Sequence, residues 1–158
     1  MRLPAVELPV ISFLAEAFKR PPEILAIACA SLAEIVAEKF VALTRRAGAE
    51  LADAGGPRDP TLVRHIYDLH IMREHYDVAE VAILARTIML ADARAYGHQF
   101  PAYRENPVAE TVRAVEGLAT DPEYARRYES FRRDMVYGDS PELGIALATI
   151  TDIARALL

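Results

Sequence analysis

The chain has 158 residues, of which 53% are hydrophobic and 26% charged, and its formal net charge is −5. The apolar content excludes general disorder, and the length suits one domain with its own core. The acidic balance excludes a nucleic-acid-binding protein that depends on overall basicity, and the single cysteine excludes an intrachain disulfide or a cysteine-based zinc site. No apolar run approaches the roughly 18–20 residues of a membrane span, and Glu7, Glu16 and Lys19 interrupt any signal-peptide pattern. We therefore expect an acidic, globular, cytoplasmic chain that does not enter membranes.

The first thirty residues differ from the rest of the chain. Short apolar runs at 6–11 and 24–29, bounded by prolines, predict two strands, with a short helix over 12–19 between them. Two strands do not form a stable sheet alone. We expect them either to pair with something outside this chain or to pack as extended segments on the helices.

Capping residues mark the helix starts in the remainder of the chain. Ser31 and Glu34 form a capping box, and four further starts place a proline directly after the cap: Asp59-Pro60, Asn106-Pro107, Asp121-Pro122 and Ser140-Pro141. These signals predict helices over 31–52, 60–75, 107–119, 122–136 and 141–157. Apolar spacing predicts another helix over 77–96, closed by Gly97 as a left-handed C-cap. The segment 53–59, with Gly55-Gly56-Pro57, is predicted to be a flexible loop.

These elements predict a mainly α fold, a bundle of about six helices with one or two short N-terminal β-strands. We expect a single domain over 1–158. Residues 1–30 would form a short strand and helix remnant, and 31–158 the helical bundle.

Two cations stand out on the helix predicted over 31–52. Lys39 projects between Ile35 and Leu43 within the apolar stripe, and Arg46 projects above Lys39 two turns later. A cation on a core-facing stripe is costly unless it is paired or functional. The pattern alone favours side chains that reach past the stripe or pair with acids of a neighbouring helix. The alternative is that both cations face a phosphate or carboxylate in a cleft.

The next predicted helix offers an acidic partner. Asp68 lies beside its apolar stripe, with Arg64 one turn earlier and His65 three residues earlier. Spacing alone favours a surface ion pair between Asp68 and Arg64. His70 and His75 are five residues apart and point about 140° away from each other on a helix, so they do not predict a zinc site.

Residues 122–136 carry two arginine pairs and three aromatic residues. Acidic residues intersperse Arg126-Arg127 and Arg132-Arg133, which favours a solvated charged face over a nucleic-acid surface. The helical spacing of Tyr124, Tyr128 and Phe131 predicts packing of one helix on another.

Two segments together resemble a known family. Residues 31–46 carry Glu38-Lys39, then Ala42-Leu43, then Arg46, and residues 64–69 carry Tyr67-Asp68-Leu69. This pattern resembles the AbiEii/AbiGii-type nucleotidyltransferase toxins, in which one helix carries Glu-Lys, Ala-Leu and Arg and the next carries Tyr-Asp-Leu. Later segments also resemble the helical C-terminal region of that family: Tyr103, Asn106-Pro107, Tyr128 to Phe131 and Met135-Val136-Tyr137.

The resemblance implies a polymerase-β-like nucleotidyltransferase that acts in toxin–antitoxin or phage-defence systems. Members transfer a nucleotide from a nucleoside triphosphate to an acceptor, in some cases tRNA, and a complete member uses Mg²⁺. Carried over by residue, the resemblance implies that Lys39 and Asp68 are catalytic and that Lys39 and Arg46 bind phosphate.

One departure from the family pattern shapes our expectation. The family carries a Gly-Ser motif followed by magnesium-binding acids, and nothing in this sequence matches it. We therefore expect the C-terminal helical part of such an enzyme, incomplete alone and without a cofactor of its own. Its expected partners are a missing N-terminal half, an antitoxin, or a second copy joined through the N-terminal strands, with tRNA less well supported. The alternative function is a non-catalytic helical module that binds a partner protein or itself.

Overall fold

The computed structural model describes residues 5–54 and 58–158. The glycine-rich part of the predicted loop, residues 55–57, lies outside them. In chain order the elements are β1 (Val6–Val10), α1 (Phe13–Ala17), β2 (Ile24–Cys29), α2 (Leu32–Leu51), α3 (Arg64–Ile71), a 3₁₀ turn (Arg73–His75), α4 (Val78–Tyr96), α5 (Pro101–Glu105), α6 (Pro107–Thr120), α7 (Pro122–Met135) and α8 (Leu143–Ala156).

Within the described residues, six longer helices form a bundle, which confirms the mainly α fold. Helix α2 packs against α3, α4 and α6, and α8 packs against the same three helices. Their apolar faces meet in one core that includes Phe40, Leu43, Ile66, Leu69 and Ile150. Burying each such side chain contributes about 1.5–3 kcal/mol. None of the helices in the described part of the chain has the length and apolar character needed to cross a membrane.

The predicted caps fix most helix starts. Ser31 accepts a hydrogen bond from the backbone N–H of Glu34 at 3.1 Å and begins α2. Asn106 and Asp121 cap α6 and α7 through their side chains, with proline at the next position. The predictions over 31–52, 77–96, 107–119 and 122–136 are confirmed to within one residue at each end.

Two helices begin later than predicted because the expected cap bonds elsewhere. The side chain of Asp59 accepts from the backbone and the hydroxyl of Thr61, which makes a turn, and α3 starts only at Arg64. The hydroxyl of Ser140 accepts from Arg132 Nε at 2.8 Å, and α8 starts at Leu143. Both predicted starts, at 60 and 141, are therefore wrong.

The prediction of a left-handed cap at Gly97 is also wrong. Its φ is −62°, in the right-handed region. A Cβ at this position would collide with the Ala93 carbonyl and the Arg104 side chain. The absence of a side chain at Gly97 therefore allows α5 to lie close to the end of α4. The short helix α5 was not predicted from the sequence.

The N-terminal segment β1–α1–β2, which we call the ribbon, forms its own antiparallel pair. Leu8 pairs with Ile27 and Val10 with Ile24, with an irregularity between Leu8 and Val10. These four side chains and Val6 share one apolar face and are 41–50% exposed. The strands pair with each other and leave this face exposed, so the expected packing of extended segments on the helices is wrong, whereas pairing with something outside this chain stays a prediction. No third strand adjoins the ribbon within residues 5–54 and 58–158.

Candidate functional site

Lys39 and Asp68 meet where α2 packs on α3. The ammonium of Lys39 donates a hydrogen bond to Asp68 Oδ2 at 2.7 Å, and the two side chains are 28% and 29% exposed. This ion pair joins the two segments that carry the family resemblance, residues 31–46 and 64–69. The predicted surface pair of Asp68 with Arg64 is not the one that forms.

Lys39 lies at the margin of the buried face of α2. Val36, Phe40 and Leu43 are buried, as the apolar stripe predicts, but Leu32 and Ile35 are each 37% exposed. The stripe therefore ends beside Lys39, whose side chain is partly exposed. This geometry matches the favoured interpretation, in which the cation pairs with an acid of the neighbouring helix.

Arg46 lies two turns farther along α2 and reaches the segment before α3. Its Nη1 is 3.4 Å from Asp59 Oδ2, and its side chain is 47% exposed. The hydrogen bond from the Thr61 side chain holds the pKa of Asp59 below its ordinary value, with a smaller contribution from the charge of Arg46. The long, exposed Arg46–Asp59 pair is one that an anion can break at little cost.

His65 is a third residue at this site, and the sequence did not reveal its burial. It lies one helical turn before Asp68 on α3. Its Nδ1 is buried and has no hydrogen-bond partner. Burial lowers the pKa of His65 below its ordinary value, the charge of Lys39 lowers it further, and Asp68 acts in the opposite direction. The neutral form of the imidazole is therefore favoured at neutral pH.

Glu50, at the C-terminal end of α2, links α2 to α7 and to the segment before α3. Its carboxylate accepts hydrogen bonds from the Asp59 backbone N–H at 2.8 Å, from the Tyr124 hydroxyl at 2.9 Å and from Arg127 Nη1 at 3.1 Å. The Glu50 side chain is 7% exposed and that of Arg127 is 12% exposed. Glu50 thus fixes both α7 and the segment that carries Asp59.

A groove of about 520 Å³ lies between the start of α3 and helix α7. Its walls include Pro60, Arg64, Arg126, Phe131 and Met135. Arg64 lies one helical turn before Asp68, so the groove and the ion pair occupy successive turns of α3.

The arginines of α7 are engaged with acids. Arg126 and Arg127 pair with Glu123, Arg132 pairs with Glu129, and Arg133 pairs with Asp134. Tyr124 and Tyr128 are buried and Phe131 packs against the core, which confirms their packing role. The geometry agrees with a charged face whose ions pair with one another.

The side chains of this site do not fit a magnesium centre. Among residues 5–54 and 58–158, no group of three or more His, Cys, Asp or Glu side chains is placed to hold a metal ion. Asp68 binds Lys39, and Asp59 binds Thr61 and Arg46. No step of the chemistry is therefore assigned to a metal on these residues.

The family model for the nucleotidyl transferase AbiEii toxin of type IV toxin–antitoxin systems matches residues 1–155. The chain belongs to this AbiEii toxin family. No curated protein and no solved structure matches the chain.

Proposed function

We propose that this chain supplies the phosphate-facing part of an NTP-dependent nucleotidyltransferase, with Lys39 and Arg46 binding phosphate and Asp68 acting in the same cleft. The observation that carries the proposal is the 2.7 Å bond from Lys39 to Asp68. It brings together the two residues that the family resemblance implies are catalytic.

Phosphoryl and nucleotidyl transfer depend on positioning and on neutralising phosphate charge. An ammonium group has three N–H donors. In the described part of the chain Lys39 uses one of them on Asp68, which leaves two for phosphate oxygens. Asp68 holds the ammonium in place, and Arg46 adds a second cation along the same helix.

In such an enzyme the magnesium-binding acids and the rest of the catalytic centre belong to a partner segment. The ribbon supports this assignment, because its apolar face is exposed and a sheet edge readily pairs with another strand. An antitoxin is the second proposed partner, since the family belongs to toxin–antitoxin systems. The proposed location is the cytoplasm.

A calorimetric titration with MgATP tests the proposed function. We expect weak binding that Lys39→Met weakens at least about tenfold further, because a hydrogen bond to a charged group contributes about 1.5–3 kcal/mol. The chain has two lysines, Lys19 and Lys39, so Lys19→Met is the matched control and should bind like wild type. Equal affinity in wild type and Lys39→Met would contradict the proposal.

A non-catalytic interaction module that pairs with a second copy is the other candidate function. The apolar face of the ribbon favours it, because five large side chains there are 41–50% exposed. Light scattering should then show a dimer that Leu8→Lys dissociates. The matched control is Leu90→Lys, at an exposed apolar position on α4. A monomer at high concentration, with amides of β1 and β2 well protected from exchange, would contradict this function.

A further inference from the structure

The groove between the start of α3 and helix α7 has the size and the walls of a small-molecule site. Its volume of about 520 Å³ lies within the range of about 300–1,000 Å³ that such sites occupy. Pro60, Phe131 and the exposed Met135 form the apolar part of its walls. The proposed phosphate site uses none of these side chains.

The ring of Phe131 offers an aromatic surface that is already held in place. Tyr67 of α3 contacts it edge-on, with 5.6 Å between the ring centroids and 63° between the ring planes. Tyr128 lies against it as well, with 6.3 Å between the centroids. Phe131 is only partly buried, and it lines the groove. A flat aromatic group can pack on this ring without first having to order it.

The two carboxylates on the walls of the groove are compensated by arginines. Glu123 pairs with both Arg126 and Arg127. Asp134 accepts two hydrogen bonds from Arg133, one from Nε at 2.8 Å and one from Nη2 at 3.1 Å. These acids therefore do not oppose an anion in the groove.

Arg64 gives the groove an uncompensated positive charge. It is exposed on the first turn of α3 and lines the groove. Arg64 belongs to none of the ion pairs within residues 5–54 and 58–158, and residues 1–4 and 55–57 contain no Asp or Glu. Asp68, one turn farther along α3, binds Lys39 instead. A guanidinium group can hold a carboxylate through two parallel hydrogen bonds, so an apolar groove with this excess cation complements an aromatic anion.

We propose that the groove binds a small aromatic carboxylate, with its ring against Phe131 and Met135 and its carboxylate on the guanidinium of Arg64. This inference goes beyond the proposed nucleotide chemistry and needs neither Lys39 nor Arg46. The ligand covers apolar surface and gives Arg64 a counterion. The first contribution needs only the ring and the second needs the negative charge, so the two can be measured separately.

Methionine-methyl NMR tests the site with three probes of one shape. The chain has four methionines, and with methionine labelled at Cε the Met135 signal reports on the groove and the fully buried Met89 reports on the core. The probes are cinnamate, the neutral cinnamamide and the cationic cinnamylamine. We expect cinnamate to shift the Met135 signal to saturation and to leave Met89 unchanged. Cinnamate should bind about two- to fivefold more tightly than cinnamamide, the range of an exposed ion pair, and cinnamylamine should bind most weakly.

A substitution at Arg64 separates the charge from the apolar wall. In Arg64→Gln, cinnamate and cinnamamide should bind equally, because the ring contacts remain and the cation is gone. The matched control is Arg94→Gln, at an exposed position on α4, which should keep the preference for cinnamate. Lys39→Met should keep it too, which distinguishes this groove from the proposed phosphate site. Equal binding of the three probes by wild type, a preference for cinnamate that survives in Arg64→Gln, or a Met135 signal that cinnamate does not move would each overturn the inference.

Discussion

Replacing Glu50 with alanine is expected to lower the free energy of unfolding by about 3 kcal/mol. Removal of one partner from a buried ion pair costs about 3–5 kcal/mol, because the other charge remains buried. The lower end applies here, since Arg127 keeps Glu123 at 3.0 Å. The Tyr124 hydroxyl and the Asp59 N–H also lose their acceptor. Burial and then the bond to Glu50 raise the pKa of Tyr124, so its hydroxyl is left as a protonated donor.

Urea denaturation followed by circular dichroism measures this loss. Glu50→Gln should lose less, because its amide oxygen still accepts from the tyrosine or the backbone. Glu129→Ala is the matched control, because Glu129 pairs with Arg132 but is exposed, and it should change stability by less than about 0.5 kcal/mol. A loss below about 1 kcal/mol in Glu50→Ala would show that this network does not anchor α7 on α2.

Exchanging Lys39 and Asp68 is expected to separate the contribution of their ion pair to stability from the contribution of Lys39 to nucleotide binding. Lys39→Asp and Asp68→Lys should each lower the free energy of unfolding by about 1 kcal/mol, because each places like charges together at a partly exposed position. The double variant restores opposite charges and should recover most of that stability. Denaturation curves of the four proteins form a double-mutant cycle.

MgATP binding should not follow stability in this series. Lys39→Asp should weaken it by about 10–100-fold, and the double variant should remain equally weak, because the cation then projects from α3 rather than from α2. Asp68→Lys alone keeps Lys39 on α2 and should bind MgATP more tightly than Lys39→Asp. Recovery of both stability and binding in the double variant would show that the position of the cation does not matter.

The fold was largely predictable because its helix starts are encoded locally. Asn106 and Asp121 each precede a proline and cap the helix that follows. The failures have non-local causes. The Ser140 hydroxyl accepts a hydrogen bond from Arg132 instead of capping α8, and a side chain at Gly97 would collide with Arg104 of α5. Neither contact can be read from the adjacent residues. The pairing of β1 with β2 was also missed, since each strand alone gives no sign of its partner.

The site was predictable only in part. Sequence placed Lys39 and Asp68 on successive helices, and the resemblance linked them, but the bond between them depends on how α2 crosses α3. Glu50 gave no signal, because its partners Tyr124 and Arg127 lie 74 and 77 residues away. His65 was noticed only as a neighbour of Asp68, and its buried, unpartnered nitrogen is a property of the packed bundle.

Paramagnetic broadening by MnATP tests most directly whether Lys39 faces the triphosphate. With lysine labelled at Cε, the chain gives two side-chain signals, from Lys39 on α2 and from Lys19 on the ribbon. We predict that MnATP broadens the Lys39 signal strongly and the Lys19 signal little, and that excess MgATP reverses the effect. Mn²⁺ without ATP is the control for ion binding to surface acids. Equal broadening of both signals by MnATP, or broadening of Lys39 by Mn²⁺ alone to the same extent, would contradict a phosphate-facing Lys39.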